Sequence, residues 1–145
     1  MKTVEQVLDS KGNTILTIGP DNSVFDAIKL MSEKAVGALP VLENEKLVGI
    51  ITERDYARKV ILKGKMSQQT PVREIMTPSV LCAQPEQTIE ECMVLMTDKR
   101  IRHLPVVDGG QLVGIISIGD LVKAVIAEQK FIIKQLEHYI SGAPM

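Results

Sequence analysis

Two seven-residue segments of this chain bring a hydroxyl, a carboxylate and the start of a helix together: Gly49-Ile-Ile-Thr-Glu-Arg-Asp55 and Gly114-Ile-Ile-Ser-Ile-Gly-Asp120. In each, an apolar strand runs into Thr52 or Ser117, and an aspartate follows three residues on. That spacing is a capping box, in which the hydroxyl and the carboxylate close the first turn of a helix. The same atoms have a second use. A helix N-terminus presents unpaired N–H groups and the positive end of the helix dipole, which attract phosphate. An aspartate accepts hydrogen bonds from the paired hydroxyls of a ribose. A cap alone and a nucleotide site with a phosphate end and a sugar end both remain open on these residues.

Other polar residues divide between the two stretches. Before the first Leu-Pro stand Val36-Gly37-Ala38, and before the second Arg100-Ile101-Arg102-His103. Gly37 and Ala38 leave room for a flat base and expose backbone donors and acceptors. Arg102 and His103 supply charge-assisted donors suited to phosphate oxygens. Arg54 and Arg58 lie four residues apart on the helix that starts at Thr52, so they either face one anion together or form a solvated face with Glu53 and Asp55. Ile118-Gly119 replaces Glu53-Arg54 in the second segment, which makes the two sites unequal. His103 and His138 are the only histidines, and no Gly-rich Lys-Thr phosphate loop is present. Neither Cys82 nor Cys92 has an obvious basic neighbour, and Cys92 falls on the apolar face of a helix, where a thiol is packing. No catalytic constellation and no metal cluster emerge, so the chain is not expected to be an enzyme.

The elements that position these residues are written twice. Residues 20–55 and 85–120 align without a gap at a constant offset, with Leu39-Pro40-Val41 matching Leu104-Pro105-Val106 and Gly49-Ile50-Ile51 matching Gly114-Ile115-Ile116. Val24, Ala27, Ile28 and Met31, and in the copy Ile89, Cys92, Met93 and Met96, recur at helical spacing. Ser23 with Asp26 and Thr88 with Glu91 begin these helices as capping boxes. Leu39 to Leu42 and Leu47 to Ile51 flank Asn44-Glu45, and their twins flank Gly109-Gly110, which predicts two hairpins. A short lead-in, Val4 to Leu8 or Val72 to Met76, and an extended stretch, Thr14 to Ile18 or Ser79 to Cys82, precede each unit. The first copy carries about three extra residues around Ser10 to Asn13. Each repeat is thus expected to read strand, helix, strand, strand, helix.

The expected segments are repeat one at 1–63, a polar, breaker-rich connection at 64–71, repeat two at 72–126 and an amphipathic tail at 127–145. The tail docks either on this body or on a second copy of it. With 145 residues, 45% of them apolar, the chain suits one globular body, and a net charge of −1 argues against capture of nucleic acid or anionic lipid. Apolar runs are too short to span a membrane. Two cysteines without a disulfide pattern and an N-terminus without an apolar leader segment point to the cytoplasm.

The repeated order apolar-Pro-Val, hairpin, Leu-Val-Gly-Ile-Ile-[Thr/Ser]-x-x-Asp resembles the tandem CBS domain pair, or Bateman module, over residues from about 4 to 125. The resemblance implies an α/β (α+β) fold of two repeats, each a small three-stranded sheet with two helices, packed by pseudo-two-fold symmetry around two clefts. It implies adenosine-containing ligands such as AMP, ATP, S-adenosylmethionine or NAD, and no catalytic cofactor. By the same resemblance Asp55 and Asp120 contact ribose, while Thr52 and Ser117 contact phosphate or ribose. Gly37, Ala38, Leu39 and Pro40, with His103, Leu104 and Pro105, border the base or phosphate. Thr17, Val80 and Cys82 offer backbone edges to adenine. The expected function is a nucleotide sensor that passes its state to an effector protein or to a second subunit, as a homodimer. The alternative is a constitutive dimerisation module with vestigial clefts.

Overall fold

Asn44 and Glu45 take φ of 51° and 65°, and Gly109 and Gly110 take 58° and 81°. Two successive positive φ values make the two-residue turn whose twist matches that of its strands. Around these turns fold two antiparallel hairpins, β1 (Ala38–Glu43) with β2 (Lys46–Thr52) and β3 (His103–Asp108) with β4 (Gln111–Ser117). The computed structural model describes residues 2–12 and 14–142. The ends of the expected segments at Met1 and 143–145, and Asn13 of the extra residues in copy one, lie outside them.

The helices are α1 (Val4–Lys11), α2 (Val24–Lys34), α3 (Glu53–Tyr56), α4 (Val72–Ile75), α5 (Ile89–Lys99) and α6 (Ile118–Ser141); α3 runs on as a π-helical turn, Ala57–Ile61. The chain is therefore a mixed helix and strand fold built as two tandem repeats. The third strand expected in each sheet is reduced to one parallel bridge, Ile18 to Val41 in the first repeat and Ala83 to Val106 in the second. Prolines explain the reduction. Ile18 donates to the Pro40 carbonyl at 3.1 Å and accepts from Leu42 at 3.0 Å. The next rung one way needs an N–H from Pro20, and the next the other way needs one from Pro40, and neither exists. Pro85 and Pro105 stand in the same relation to Ala83, which donates to the Pro105 carbonyl at 2.8 Å.

Packing groups the chain as two units, one of residues 14–82 with 107–113 and the other of 1–13, 83–106 and 114–145. In the first, Val24, Ala27 and Met31 of α2 close over Leu39, Val41 and Ile51 of the hairpin, joined by Val60 and by Val72 and Ile75 of α4. In the second, Ile89, Cys92 and Met96 of α5 close over Leu104, Val106 and Ile116, joined by Leu121 and Ala124 of α6 and by Val4 and Val7 of α1. Each core thus takes its lead-in helix from the sequence ahead of the other repeat.

The repeated glycine of Leu-Val-Gly-Ile-Ile makes room for that helix. A Cβ on Gly49 would lie 2.6 Å from Met76 Sδ and 3.0 Å from the Thr77 carbonyl, and one on Gly114 would lie 2.7 Å from a Leu8 methyl. Thr77 also pairs with Ile50 through two backbone hydrogen bonds of 2.9 and 3.0 Å. The polar connection is itself part of the first unit. Val24 at the start of α2 donates to the Thr70 carbonyl at 2.8 Å, and the buried Thr70 hydroxyl donates to the Met66 carbonyl at 2.8 Å.

Candidate functional site

Both Thr52 and Ser117 become N-caps, and both capping boxes close. The Thr52 hydroxyl accepts from Asp55 N–H at 3.1 Å, and Asp55 Oδ2 accepts from Thr52 N–H at 3.0 Å. In the second unit the Ser117 hydroxyl accepts from Asp120 N–H at 3.1 Å, and Asp120 Oδ2 accepts from Ser117 N–H at 2.8 Å. The cap reading of the two segments is therefore realised in both repeats. Thr88 with Glu91 forms the full box on α5, as its spacing predicts, whereas α2 keeps only half of the expected box: the Ser23 hydroxyl accepts from Asp26 N–H at 3.0 Å without the reciprocal carboxylate bond.

A cation stands on each aspartate, and sequence reasoning identified neither. Lys59 Nζ lies 3.2 Å from Asp55 Oδ1 and donates to the Ile75 carbonyl of α4 at 2.9 Å. Lys11 Nζ, from α1, donates to Asp120 Oδ2 at 2.7 Å and to the Ile115 carbonyl of β4 at 2.8 Å. The repeat alignment sets Ala124, a buried core residue, opposite Lys59. The second unit therefore has no lysine at the equivalent position and takes its cation from α1. Lys59 was findable, because Asp55 and Lys59 are four residues apart on a helical stretch. Lys11 was not, because it precedes Asp120 by 109 residues.

The segments before each motif proline meet these helix starts. Glu53 N–H donates to the Gly37 carbonyl at 3.1 Å, and Ile118 N–H donates to the Arg102 carbonyl at 2.9 Å. Ala38 pairs with Thr52 across the first hairpin. The first unit accordingly brings together Gly37, Ala38, Thr52, Asp55 and Lys59. The second brings together Arg102, His103, Ser117, Asp120 and Lys11. The side chains of Leu39 and Leu104 are fully buried in the two cores, which leaves only their backbone to face a ligand, and Pro40 and Pro105 are buried with them. Arg54 and Arg58 are both exposed. Thr17 adjoins the Ile18 bridge, Cys82 adjoins the Ala83 bridge, and the Cys82 thiol points to the Val80 carbonyl at 3.8 Å.

Charge distinguishes the second unit. Burial pushes the Asp120 carboxyl up, but the Lys11 ammonium and the Ser117 N–H and hydroxyl outweigh it and hold the group below the usual carboxylate range. His103 is drawn below its ordinary value, first by burial and then by Lys11 and Arg102, with Asp120 opposing. The shift favours the neutral imidazole, so His103 offers an ordinary N–H donor rather than the charge-assisted one expected from sequence, beside the Lys11 side chain and the Asp120 carboxylate. Burial raises both thiols, with the Glu91 charge adding to the rise at Cys92. Among the described residues no group of three or more His, Cys, Asp or Glu is placed to hold a metal ion, and no helix is long and apolar enough to cross a membrane.

The same architecture occurs in known proteins. The CBS domain family model matches residues 5–62 and 72–127. The chain is 42% identical over 149 residues to the CBS domain-containing protein CBSX3, mitochondrial, of Arabidopsis thaliana, an alignment covering 97% of this chain and 72% of that protein. A solved protein with CBS domains from Burkholderia ambifaria MC40-6 superposes with a TM-score of 0.85 at 55% identity, over 88% of this chain and 96% of that one. The CBS domain pair of protein MJ0100, solved in complex with 5′-methylthioadenosine and S-adenosyl-L-methionine, superposes with a TM-score of 0.79 at 27% identity, over 88% of this chain and 98% of that one. Two matched segments in tandem, on a fold shared with solved members, mean that this chain belongs to the CBS domain family.

Proposed function

We propose that this chain is a regulatory module that binds an adenosine-containing ligand, with AMP, ATP, NAD and S-adenosylmethionine as the class, and transmits its bound state to a partner protein. The supporting observation is the repeated constellation of capping hydroxyl, aspartate and lysine at Thr52, Asp55 and Lys59 and at Ser117, Asp120 and Lys11. Each offers an acceptor pair for ribose hydroxyls and an ammonium within reach of a phosphate. Arg102 and His103 add donors in the second half-site, where Gly37 and Ala38 leave space in the first. The adenosyl ligands bound to MJ0100 support the ligand class. In this reading Thr17, Val80 and Cys82 supply backbone edges to the base, and Arg54 and Arg58 supply charge near the phosphate. The role is regulatory rather than catalytic, and a reducing compartment such as the cytoplasm suits the two free thiols.

The chain acts as a homodimer. Exposed apolar side chains along the end of α6, among them Ile133, Leu136 and Ile140, support self-association. Isothermal calorimetry tests the sensing reading: at least one of the four ligands gives saturable heat, and silence from all of them at millimolar concentration refutes it. A melting temperature indifferent to every nucleotide would favour a module that only dimerises.

A further inference from the structure

Helix α6 outlasts its own core. Its last buried side chain is Ala124, yet it continues to Ser141 with Val122, Ile126, Ile133, Leu136 and Ile140 between 43% and 83% exposed. At 3.6 residues per turn, these five and Gln129 fall within an arc of about 80°. Their separations alternate four, three, four, three, four, the rhythm of a coiled-coil seam.

We propose that this seam pairs with the same seam of a second copy, running antiparallel. The flanks select that occupant and that direction. One flank carries Lys123, Lys130 and Glu137, and the other Val125, Ile132 and Tyr139. A two-fold axis across the seam sets each flank against the same flank of its partner, reversed. Lys123 then faces Glu137 of the partner subunit at both ends and Ile132 meets its own copy, while Val125 stays packed against its own core. In the seam Val122 layers on Ile140 of the partner subunit and Ile126 on Leu136 of the partner subunit. Lys130 meets its own copy at the centre, where a long side chain turns its ammonium to water. A parallel pair would instead lay Lys130 and Glu137 against the apolar flank. The seam is about 28 Å long.

The inference rests on the self-association part of the reading above and is independent of nucleotide. Sedimentation equilibrium of the full chain up to about 100 μM tests it, with circular dichroism to verify folding. The unsubstituted chain dimerises, and Ile133→Asp, at a position 55% exposed, keeps its fold and weakens the dimer by about a hundredfold. Glu137→Lys alone weakens it by about threefold to tenfold, and Lys123→Glu together with Glu137→Lys restores it. A dimer indifferent to Ile133→Asp overturns the seam while leaving self-association standing. A charge swap without rescue overturns the antiparallel direction. A chain monomeric throughout overturns both readings, including the case in which it binds phosphatidylserine vesicles instead.

Discussion

Asp120 and Lys11 are 109 residues apart in sequence and 2.7 Å apart in space. Their pairing predicts a specific pH signature. Replacing Lys11 with Met removes the ammonium that offsets the burial of the carboxyl, while Ser117 N–H still satisfies Asp120 Oδ2. The loss at neutral pH is about 0.5–1 kcal/mol, because the Lys11 side chain is 36% exposed and solvent screens the pair. Asp120 has a depressed carboxyl in the folded state, so the stability the pair contributes is present above the unfolded value of about 3.9 and is lost as pH falls through the lower folded value. Urea titrations between pH 3 and 7 should show the parent and Lys11→Met separated at the upper end and converging at the lower. A gap that does not narrow toward acid would show that Lys11 acts through packing rather than charge. At this scale the hydroxyls and aspartates were legible, because a capping box is local. The lysine on Asp120 was hidden, because a long-range ion pair leaves no mark on spacing.

At the scale of elements, one glycine in each hairpin sets how closely a lead-in helix packs. Gly49 and Gly114 occupy the same place in the repeat, but their neighbours differ in kind. Gly49 faces Met76 and a backbone carbonyl, which cannot swing aside, whereas Gly114 faces only the far end of Leu8. Gly49→Ala should therefore cost about 1–3 kcal/mol, and Gly114→Ala distinctly less. Chemical denaturation measures both, and equal costs would contradict this account of the contact. The hairpins, the two capped helices and the helix starts at Thr52 and Ser117 were legible from periodicity and turn residues. The missing third strand was also written in the sequence, at Pro20, Pro40, Pro85 and Pro105. It is read only when the absent N–H groups are counted rung by rung.

For the whole molecule, the exchange of lead-in helices decides which part depends on which. Val4 and Val7 of α1 are core residues of the unit that contains residues 83–106. Deleting residues 2–12 should open that core and leave the one built on α2, β1, β2 and α4 protected. Hydrogen exchange would show protection lost across α5, β3 and the first turns of α6 and kept across α2 and β2. Loss confined to residues 14–62 would contradict the assignment. Periodicity could not have given this, because two copies of one pattern do not say which copy a lead-in joins. Function at this scale requires little energy: a ligand that favours one of two states tenfold supplies about 1.4 kcal/mol, enough to redistribute states of similar free energy.

The central claim is that the paired hydroxyls and aspartates hold an adenosyl ligand, and calorimetry on substituted chains addresses it most directly. Asp55→Asn and Asp120→Asn each keep an oxygen to accept the capping N–H while removing the negative charge. Titrated with AMP, ATP, NAD and S-adenosylmethionine, the parent chain should give saturable heat with at least one, and the doubly substituted chain should lose at least tenfold in affinity, about 1.4 kcal/mol, for that ligand. Unchanged affinity in the doubly substituted chain, or no heat from the parent with any of the four at millimolar concentration, would contradict it.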